Sequence, residues 1–371
     1  MPQLAEVLDL FHGWYPPATA AGWDAVGLVV GDPAGDVRRI ALAVDITAAT
    51  AGEAAEWGAD LLVTHHPLFL RGVHAVAADT GKGSTLATLT AAGCALLCAH
   101  TNADVAIGGV SEALADAVGL SDARPLVPSL WQLDKITTYV PNHAAERVRR
   151  ALADAGAGRI GAYDGASFSS TGEGRFRPLA GAEPAIGSVG TPEVVPETRI
   201  EAVLGRELRA RVVDALLAAH PYEEPAYDLV ELAETGRGRT GLGRVGDVVE
   251  TTLAGFAARV SEALPATARG VLVGGDPDRV VRRVATAPGA GDDHLDAARA
   301  SGADVYLTSD LRHHPAIEFL EQDGPALVDV SHWAAEWTWL PVVEARLRSA
   351  LGDTVETRVS TRCTDAWTIR S

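Results

Sequence analysis

The chain has 371 residues, 47% of them hydrophobic, and is therefore long and apolar enough to bury the cores of two or three domains. Its formal net charge of −18 argues against nucleic acid or an anionic membrane as a partner, because clustered Lys and Arg carry that kind of binding. Three cysteines without CxxC spacing indicate a reducing compartment, and no apolar run reaches the roughly 18 residues of a membrane span, so we expect a cytoplasmic protein.

Predicted helices and strands alternate through the first third of the chain. An amphipathic helix at the amino terminus is followed by a loop over residues 21–32 that leads into a strand. The next predicted elements are a strand over 39–44, a helix over 48–57, a strand over 61–63, a helix over 84–92 and a strand over 94–99. This alternation is typical of βαβ units with a mainly parallel sheet.

Two histidines follow the apolar strand at 61–63. His65 and His66 come directly after Thr64, and Pro67 has no backbone N–H to donate, so strand pairing should stop there. Open α/β sheets bind ligands just outside the carboxyl ends of their strands, where two imidazoles would form half of a metal site. A hydrogen-bonded histidine pair without a metal explains the doublet alone equally well.

The middle of the chain differs in composition. We expect strands over 135–141, 200–204 and 227–232, a helix capped by Asn142, a helix over 207–219 and a loop-rich portion over 167–196. Two successive βαβ-type units suggest a ferredoxin-like insert from about 127 to 235. The Gly-rich run 236–243 is interpreted as its exit hinge. It contains a GxGxxG, but no strand leads into it and no helix follows, which disfavours a dinucleotide site.

The last third repeats the plan of the first. When residues 37–64 are placed over 281–308, 10 of the 28 positions are identical. The identities include Val-Arg-Arg at the start and Gly-Ala-Asp ahead of an apolar strand, so we interpret the match as an internal duplication. In this register Asp310 stands at the position of His66.

A His-x-x-x-acid pattern follows the next strand in both copies. It comprises His100 and Asp104 in the first copy and His332 and Glu336 in the second. Positions i and i+4 of a helix lie on one face, so each pair can reach a single point. A pair on the helix surface without a ligand is the plainer interpretation of either pattern alone.

Together the two copies bring a set of imidazole and carboxylate donors to the strand ends, with His100 and Asp310 nearby. Such donors without a thiolate suit zinc, iron, manganese or nickel. Five donors exceed what one tetrahedral ion needs, which favours two divalent metal ions per chain. The predicted ligands are His65, His66, Asp104, His332 and Glu336.

Taken as a collinear set, the motifs resemble the NIF3-like (DUF34) dinuclear-metal proteins, often labelled GTP cyclohydrolase 1 type 2 homologs. The resemblance rests on Trp23-Asp24-x-Val26-Gly27-Leu28, Thr64-His65-His66-Pro67, His100-Thr101-Asn102-x-Asp104, Gly172-x-Gly174-x-Phe176-Arg177-Pro178, His220-Pro221-Tyr222-Glu223-Glu224-Pro225 and His332-x-x-x-Glu336. Carried over by position, the ligands of the family fall on the same five residues. Ala25 and Ala335 depart from the family pattern and could alter hydrogen bonds that orient the ligands.

The resemblance implies an α/β fold in which two pseudo-symmetric NIF3-like halves form one domain, with an inserted α+β ferredoxin-like (PII/CutA-like) domain. The corresponding boundaries are 1–126 for the first half, 127–235 for the insert and 236–371 for the second half. It also implies a toroidal homohexamer with metal sites that face the interior.

Two functions stay open at this stage. The first, which the family label suggests, is a metal-dependent hydrolase that acts on a small molecule or nucleotide through a hydroxide bridging the two metals. His100, His314 and Glu223 are its candidates for proton transfer. The 220–225 motif that contains Glu223 could equally be an ordinary loop. The second function is a non-enzymatic metal-handling or regulatory hexamer whose PII-like insert senses a ligand.

Overall fold

The computed structural model describes residues 1–129, 132–161, 163–233, 238–322 and 324–371. The chain divides into two compact units, the first built from residues 1–129 and 238–371 and the second from residues 130–237. The boundary predicted between 235 and 236, and the start of the predicted hinge at Gly236, lie outside the described residues. The end of that Gly-rich run, residues 241–243, belongs to a strand.

The amino-terminal segment of the first unit alternates helices and strands as expected. Its elements are α1 (Leu4–Trp14), β1 (Gly27–Val30), β2 (Arg39–Ala43), α2 (Ala48–Trp57), β3 (Leu61–Thr64), α3 (Gly81–Ala92), β4 (Ala95–Cys98), α4 (Thr101–Val105), α5 (Val110–Ala117) and β5 (Ser121–Pro128).

The second unit has the element order β-α-β-β-α-β. Its elements are β6 (Leu133–Pro141), α6 (Ala145–Asp154), β7 (Ser167–Phe176), β8 (Glu193–Gly205), α7 (Arg209–Ala219) and β9 (Tyr227–Glu231).

The carboxyl-terminal segment completes the first unit. Its elements are β10 (Gly241–Thr252), α8 (Leu253–Ala263), β11 (Leu272–Gly274), β12 (Val280–Ala290), α9 (Leu295–Ala300), β13 (Val305–Ser309), α10 (His313–Glu321), β14 (Ala326–Val330), α11 (His332–Trp337), α12 (Trp339–Leu351) and β15 (Glu356–Val359).

The first unit contains two sheets, of strand order β1-β4-β3-β2-β15 and β11-β14-β13-β12-β10-β5. In each, three central strands run parallel: β2, β3 and β4 in one and β12, β13 and β14 in the other. Every residue of β3 and of β14 is buried, which accounts for their mainly apolar composition, interrupted in β14 by Asp329. The polar residues that follow these strands therefore emerge at the carboxyl ends of buried parallel strands in two mixed sheets.

The two segments share local detail as well as element order. Ile40 pairs with Leu61 in the first sheet, and Val284 pairs with Val305 in the second, so the offset of 244 residues is kept on both strands. The Asp60 carboxylate accepts hydrogen bonds from the backbone N–H groups of residues 38 and 39, at 2.7 and 2.9 Å. Asp304 accepts the equivalent bonds from residues 282 and 283, at 2.8 and 2.9 Å.

The second unit holds a four-stranded sheet of order β7-β8-β6-β9, in which every paired strand is antiparallel. Its core forms where side chains such as Ile136, Val140 and Ile200 meet residues of α6 and α7, including Val148 and Val212.

One expectation for this unit is right in part and another is wrong. Within the loop-rich portion 167–196, residues 177–192 belong to no helix or strand, but residues 167–176 form β7, which pairs along its whole length with β8. Most side chains of β7 are exposed, so this edge strand lacks the apolar alternation that would have revealed it. Asn142 does not cap a helix: its Oδ1 accepts a hydrogen bond from Thr198 Oγ1 at 2.8 Å, and α6 begins only after a short 3₁₀ turn.

Among the described residues, no helix combines the length and the apolar character needed to cross a membrane.

Candidate metal centre

The end of β3 delivers two imidazoles to one place. The backbone N–H groups of His65 and His66 both donate to the carbonyl of Val44, at 3.1 and 2.9 Å. The Thr64 hydroxyl donates to the carbonyl of His66 at 2.9 Å. These bonds turn the chain at the strand end, so two adjacent side chains that would point to opposite faces of a regular strand serve the same site.

The end of β14 delivers an imidazole and a carboxylate. The Ser331 hydroxyl accepts a hydrogen bond from the N–H of Ala334 and caps α11. His332 and Glu336 lie one turn apart on this helix, and His332 Nε2 is 2.9 Å from Glu336 Oε1. The i, i+4 spacing thus forms the one-faced pair that the sequence predicts.

The two strand ends converge on Glu336. Its Oε1 lies 3.4 Å from His65 Nε2, and its Oε2 lies 3.1 Å from His66 Nε2. Asp104 Oδ1 lies 3.5 Å from His65 Nε2. The structure therefore brings together all five predicted ligands, although more than 200 residues separate the two groups in the sequence.

Three atoms of this cluster are buried and lack a hydrogen-bond partner: His65 Nε2, Asp104 Oδ1 and Glu336 Oε2. They approach neighbouring polar atoms, but without the geometry of a hydrogen bond. Buried polar atoms are almost always satisfied, and leaving one unsatisfied costs about 1–3 kcal/mol. Three such atoms close together fit a bound cation, because a metal ion is held by lone pairs that do not already accept a hydrogen bond.

Further groups fix the orientation of the imidazoles. His66 Nδ1 lies 2.7 Å from Asp45, and His332 Nδ1 lies 2.7 Å from Asp310. His65 Nδ1 lies 3.0 Å from the Ala99 carbonyl, which can only accept, so this ring is protonated on Nδ1. A ring that donates through Nδ1 turns its Nε2 toward the cluster, which is the usual arrangement behind metal-binding histidines.

The charges of the cluster are strongly coupled. Burial raises the pKa of Glu336, but the nearby rings of His66, His65 and His332 reverse this effect and hold the pKa well below its usual value. Burial lowers the pKa of His66, yet the carboxylates of Glu336 and Asp45 raise it to about 11. Burial raises the pKa of Asp104 to about 6. The carboxylates thus favour positive charge at this point.

Two groups of three side chains could each hold a metal ion, because the candidate ligand atoms within each group all lie within 4.8 Å of one another. One comprises His65, His66 and His100, and the other comprises His66, His332 and Glu336. His100 thus lies beside the cluster, and its Nδ1 is 2.9 Å from Asp24 Oδ1. Burial and the charge on His65 lower the pKa of His100.

The other two candidates for proton transfer, His314 and Glu223, are not part of this cluster. His314 is exposed on α10, where its ring neighbours that of His313 at 5.2 Å. Across the described part of the chain, no hydrogen bond or ion pair joins His314 to the cluster. Glu223 belongs to the second unit, where its Oε2 accepts a hydrogen bond from the N–H of Glu183 at 3.0 Å.

Sequence reasoning did not assign a role to Asp24 or Asp45. Asp24 lies in the motif Trp23-Asp24-x-Val26-Gly27-Leu28, and Asp45 directly follows the strand predicted over 39–44. Neither position has a spacing that distinguishes it from other acidic residues. Only the folded chain shows that each carboxylate faces an imidazole.

The cluster opens into a cleft of about 240 Å³. Its walls include His66, His332, Trp333 and Trp367, the last being 63% exposed. The Thr364 hydroxyl donates to Asp45, so the carboxyl-terminal segment forms one wall. A small molecule could therefore reach the imidazoles from solvent, beside the exposed indole ring of Trp367.

Comparison with known proteins identifies the family. The model of the Duf34/NIF3 (NGG1p interacting factor 3) family matches residues 2–366. The chain belongs to the DUF34/NIF3 family.

Relatives and solved structures of this family align along almost the whole chain. A Mycobacterium tuberculosis protein named GTP cyclohydrolase 1 type 2 homolog is 48% identical, over 99% of this chain and 97% of its own. A Bacillus subtilis protein of the same name is 38% identical, over 89% of this chain and 88% of its own. The crystal structure of a Bacillus cereus protein related to NIF3 matches with a TM-score of 0.82 and 36% identity, over 99% of both chains. The mixed α/β fold with several sheets is thus that of NIF3-related proteins.

Proposed function

We propose that this protein is a metal-dependent hydrolase that holds two divalent ions per chain. Its ligands are His65, His66, Asp104, His332 and Glu336. The observation that carries the proposal is the set of buried, unpartnered polar atoms on His65, Asp104 and Glu336.

The composition of the donor set bears on the number and kind of ions. Imidazole and carboxylate donors without a thiolate suit zinc, iron, manganese or nickel. One group of close ligand atoms comprises His66, His332 and Glu336, and His65 with Asp104 lies directly beside it, which supports two neighbouring ions. A pair of divalent ions lowers the pKa of water and stabilises negative charge on the group under attack.

The residues of the chain supply the remaining functions. Asp45 and Asp310 hold the rings of His66 and His332 through Nδ1. Asp24 holds the ring of His100 in the same way and leaves its Nε2 to accept or donate a proton. The exposed indole ring of Trp367 offers a flat apolar surface to a planar substrate.

The name of the relatives points to a purine nucleotide as the substrate. The test is consumption of GTP by the full-length protein, measured by chromatography before metal removal, after chelation and after reloading. We expect chelation or Glu336→Gln to abolish turnover, with the melting temperature preserved in the variant. The control is Glu318→Gln, at an exposed position of α10. No saturable turnover of nucleotides or esters by metal-loaded protein would exclude the hydrolase.

A non-enzymatic metal-handling or regulatory protein is the second candidate. The observation that favours it is a pocket of about 820 Å³ within the second unit, which is in the size range of ligand sites. In this case metal would bind and exchange without turnover.

We further infer an architecture of two pseudo-symmetric halves, 1–126 and 236–371, with a ferredoxin-like (PII/CutA-like) insert over 127–235. The shared strand register and the paired Asp60 and Asp304 contacts support the duplication. The β-α-β-β-α-β order and the sheet order β7-β8-β6-β9 support the ferredoxin-like assignment.

We also propose a toroidal homohexamer in the cytoplasm. Light scattering coupled to size exclusion tests the assembly. It should give about six times the chain mass of 38.6 kDa, and a monomer or dimer at micromolar concentration would refute the hexamer.

A further inference from the structure

The second unit contains a pocket of about 820 Å³ that the proposed chemistry does not use. Its lining residues all fall between positions 139 and 226, so the pocket is built by this unit alone. They come from β6, β7 and β8 and from the segments 177–186 and 222–226.

The pocket lies on the face of the sheet opposite to α6 and α7. Val140 and Ile200 face the helices in the core, so the alternate positions Tyr139, Glu197 and Arg199 face the other side. Gly172 of β7 pairs with Glu197, and Ser170 pairs with Arg199. The segments around residues 181–186 and 222–226 complete the walls.

Glu197 is a buried carboxylate at this site, only 7% exposed. Its Oε1 accepts a hydrogen bond from the Tyr222 hydroxyl at 2.8 Å. Among the residues that the structure describes, no Lys, Arg or His nitrogen lies within the 4.0 Å of an ion pair with it. A Cβ at Gly174 would collide with the Glu197 carboxylate, so the glycine provides the space that this side chain occupies. A buried carboxylate without a cation is costly, and a cationic ligand would offset that cost.

The other charges of the pocket leave it acidic. Arg175 pairs with Glu173 at 2.8 Å within the lining, and Arg199 pairs with Glu201 at 2.5 Å, a carboxylate that Lys135 also contacts at 3.2 Å. The lining holds four carboxylates against three guanidinium groups, a net charge of −1: Glu173, Glu197, Glu223 and Glu224 against Arg175, Arg177 and Arg199. The balance favours a ligand with positive charge.

Aromatic rings stand beside the carboxylate. The rings of Phe176 and Tyr222 pack edge to face with centroids 5.5 Å apart, and Tyr139 also lines the pocket. Ring faces attract ammonium groups, and aromatic residues combined with a carboxylate are a common way to recognise organic cations.

We propose that this pocket binds a small organic amine, with its ammonium group at the Glu197 carboxylate and beside the rings of Phe176 and Tyr222. The proposal does not depend on the metal centre, because every residue it uses belongs to the second unit.

The test is isothermal titration calorimetry on the full-length protein with two five-carbon probes of opposite charge, cadaverine and glutarate. We expect saturable binding of cadaverine and none of glutarate. Glu197→Gln should weaken cadaverine binding by about 10- to 100-fold, the usual effect of losing a charged hydrogen-bond partner. Glu207→Gln is the matched control: this side chain is exposed on the second unit, outside the pocket lining, and its substitution should leave the affinity unchanged.

Several results would overturn the proposal. They are glutarate binding without cadaverine binding, no cadaverine binding at millimolar concentration, and an equal loss of affinity in both variants. If Glu197→Gln proves unstable by its melting temperature, the comparison of the two probes on the unmodified protein still decides the sign of the preferred charge.

Discussion

The rings of His66 and His332 each face a carboxylate through Nδ1, and these contacts decide which nitrogen faces the candidate metal centre. Outer carboxylates of this kind hold the tautomer and raise the basicity of a ligating imidazole. Asp310 is informative because its backbone has a φ of 56°, in the left-handed region that Asn and Asp tolerate better than other non-glycine residues.

We expect Asp310→Asn to weaken metal affinity by about 10- to 100-fold, because the charge behind His332 is lost while the backbone conformation is kept. Asp310→Ala should lower affinity similarly and also lower the melting temperature, since Ala fits a positive φ poorly. Competition with a chromophoric chelator measures the affinity. Unchanged affinity in both variants would show that Asp310 does not orient a ligand.

Local sequence patterns predict some residues of the site and not others. The five predicted ligands are marked by local pattern: a doublet after a buried strand, the pair His332 and Glu336 at i, i+4 spacing, and Asp104 at the same spacing from His100. Asp24 and Asp45 have no such pattern, because their partners, His100 and His66, are 76 and 21 residues away. Contacts of this kind become visible only when the chain is folded.

The two segments of the first unit join adjacent strands through the same hydrogen-bond contact. Asp60 accepts two backbone N–H groups at the start of β2, and Asp304 does the same at β12. The match explains why Gly-Ala-Asp appears ahead of both apolar strands in the sequence.

We expect Asp60→Ala and Asp304→Ala to destabilise their own sheets by similar amounts, about 0.5–1.5 kcal/mol each, because each removes the hydrogen bonds that the carboxylate accepts from two backbone N–H groups. Hydrogen–deuterium exchange of peptides from β2 and β12 reads the two sites separately. A large effect at one site and none at the other would argue that the contacts are not equivalent.

One strand of the second unit could not be predicted from the sequence, and the reason is physical. The strand β7 lies at a sheet edge with most side chains in solvent, so its Ser-, Thr- and Gly-rich sequence resembles a loop. Its pairing with β8 supplies the order that local composition does not. The buried strand β3, in contrast, is predictable from its composition, because Leu61, Leu62 and Val63 form an apolar run.

A buried carboxylate links β6 to α7 in the second unit. Asp134 has no exposed surface and accepts hydrogen bonds from Arg209 at 2.7 Å and Arg206 at 3.3 Å. These guanidinium groups lower the pKa of Asp134.

Because the pKa of Asp134 is lower in the folded state than the unfolded value of about 3.9, its stabilisation is present above about pH 4 and disappears as the pH falls through the folded pKa. Asp134→Asn should therefore destabilise this unit by about 1–2 kcal/mol at neutral pH, and the difference should shrink below about pH 4. Hydrogen–deuterium exchange of β6 peptides across this range measures it. A difference that grows toward acid would contradict the assignment.

At the scale of the whole molecule, the account depends on the convergence of two distant strand ends. Each segment alone gives an incomplete set of metal ligands. The first supplies two imidazoles and a carboxylate, and the second supplies one imidazole and one carboxylate. Glu336 contacts imidazoles of both segments, and its Oε2, together with His65 Nε2 and Asp104 Oδ1, is buried without a hydrogen-bond partner. The convergence could be inferred only from the repeat and the family resemblance, since no local pattern connects residue 65 to residue 332.

The most direct test is the metal content per chain, measured by inductively coupled plasma mass spectrometry on protein purified without added metal. The account predicts two divalent ions per chain, and loss of metal in both His65→Ala and His332→Ala. The control variant His74→Ala, at an exposed position, should keep both ions. A metal-free protein that takes up no divalent ion on addition, or His65→Ala and His332→Ala variants that keep the full complement, would contradict the central claim.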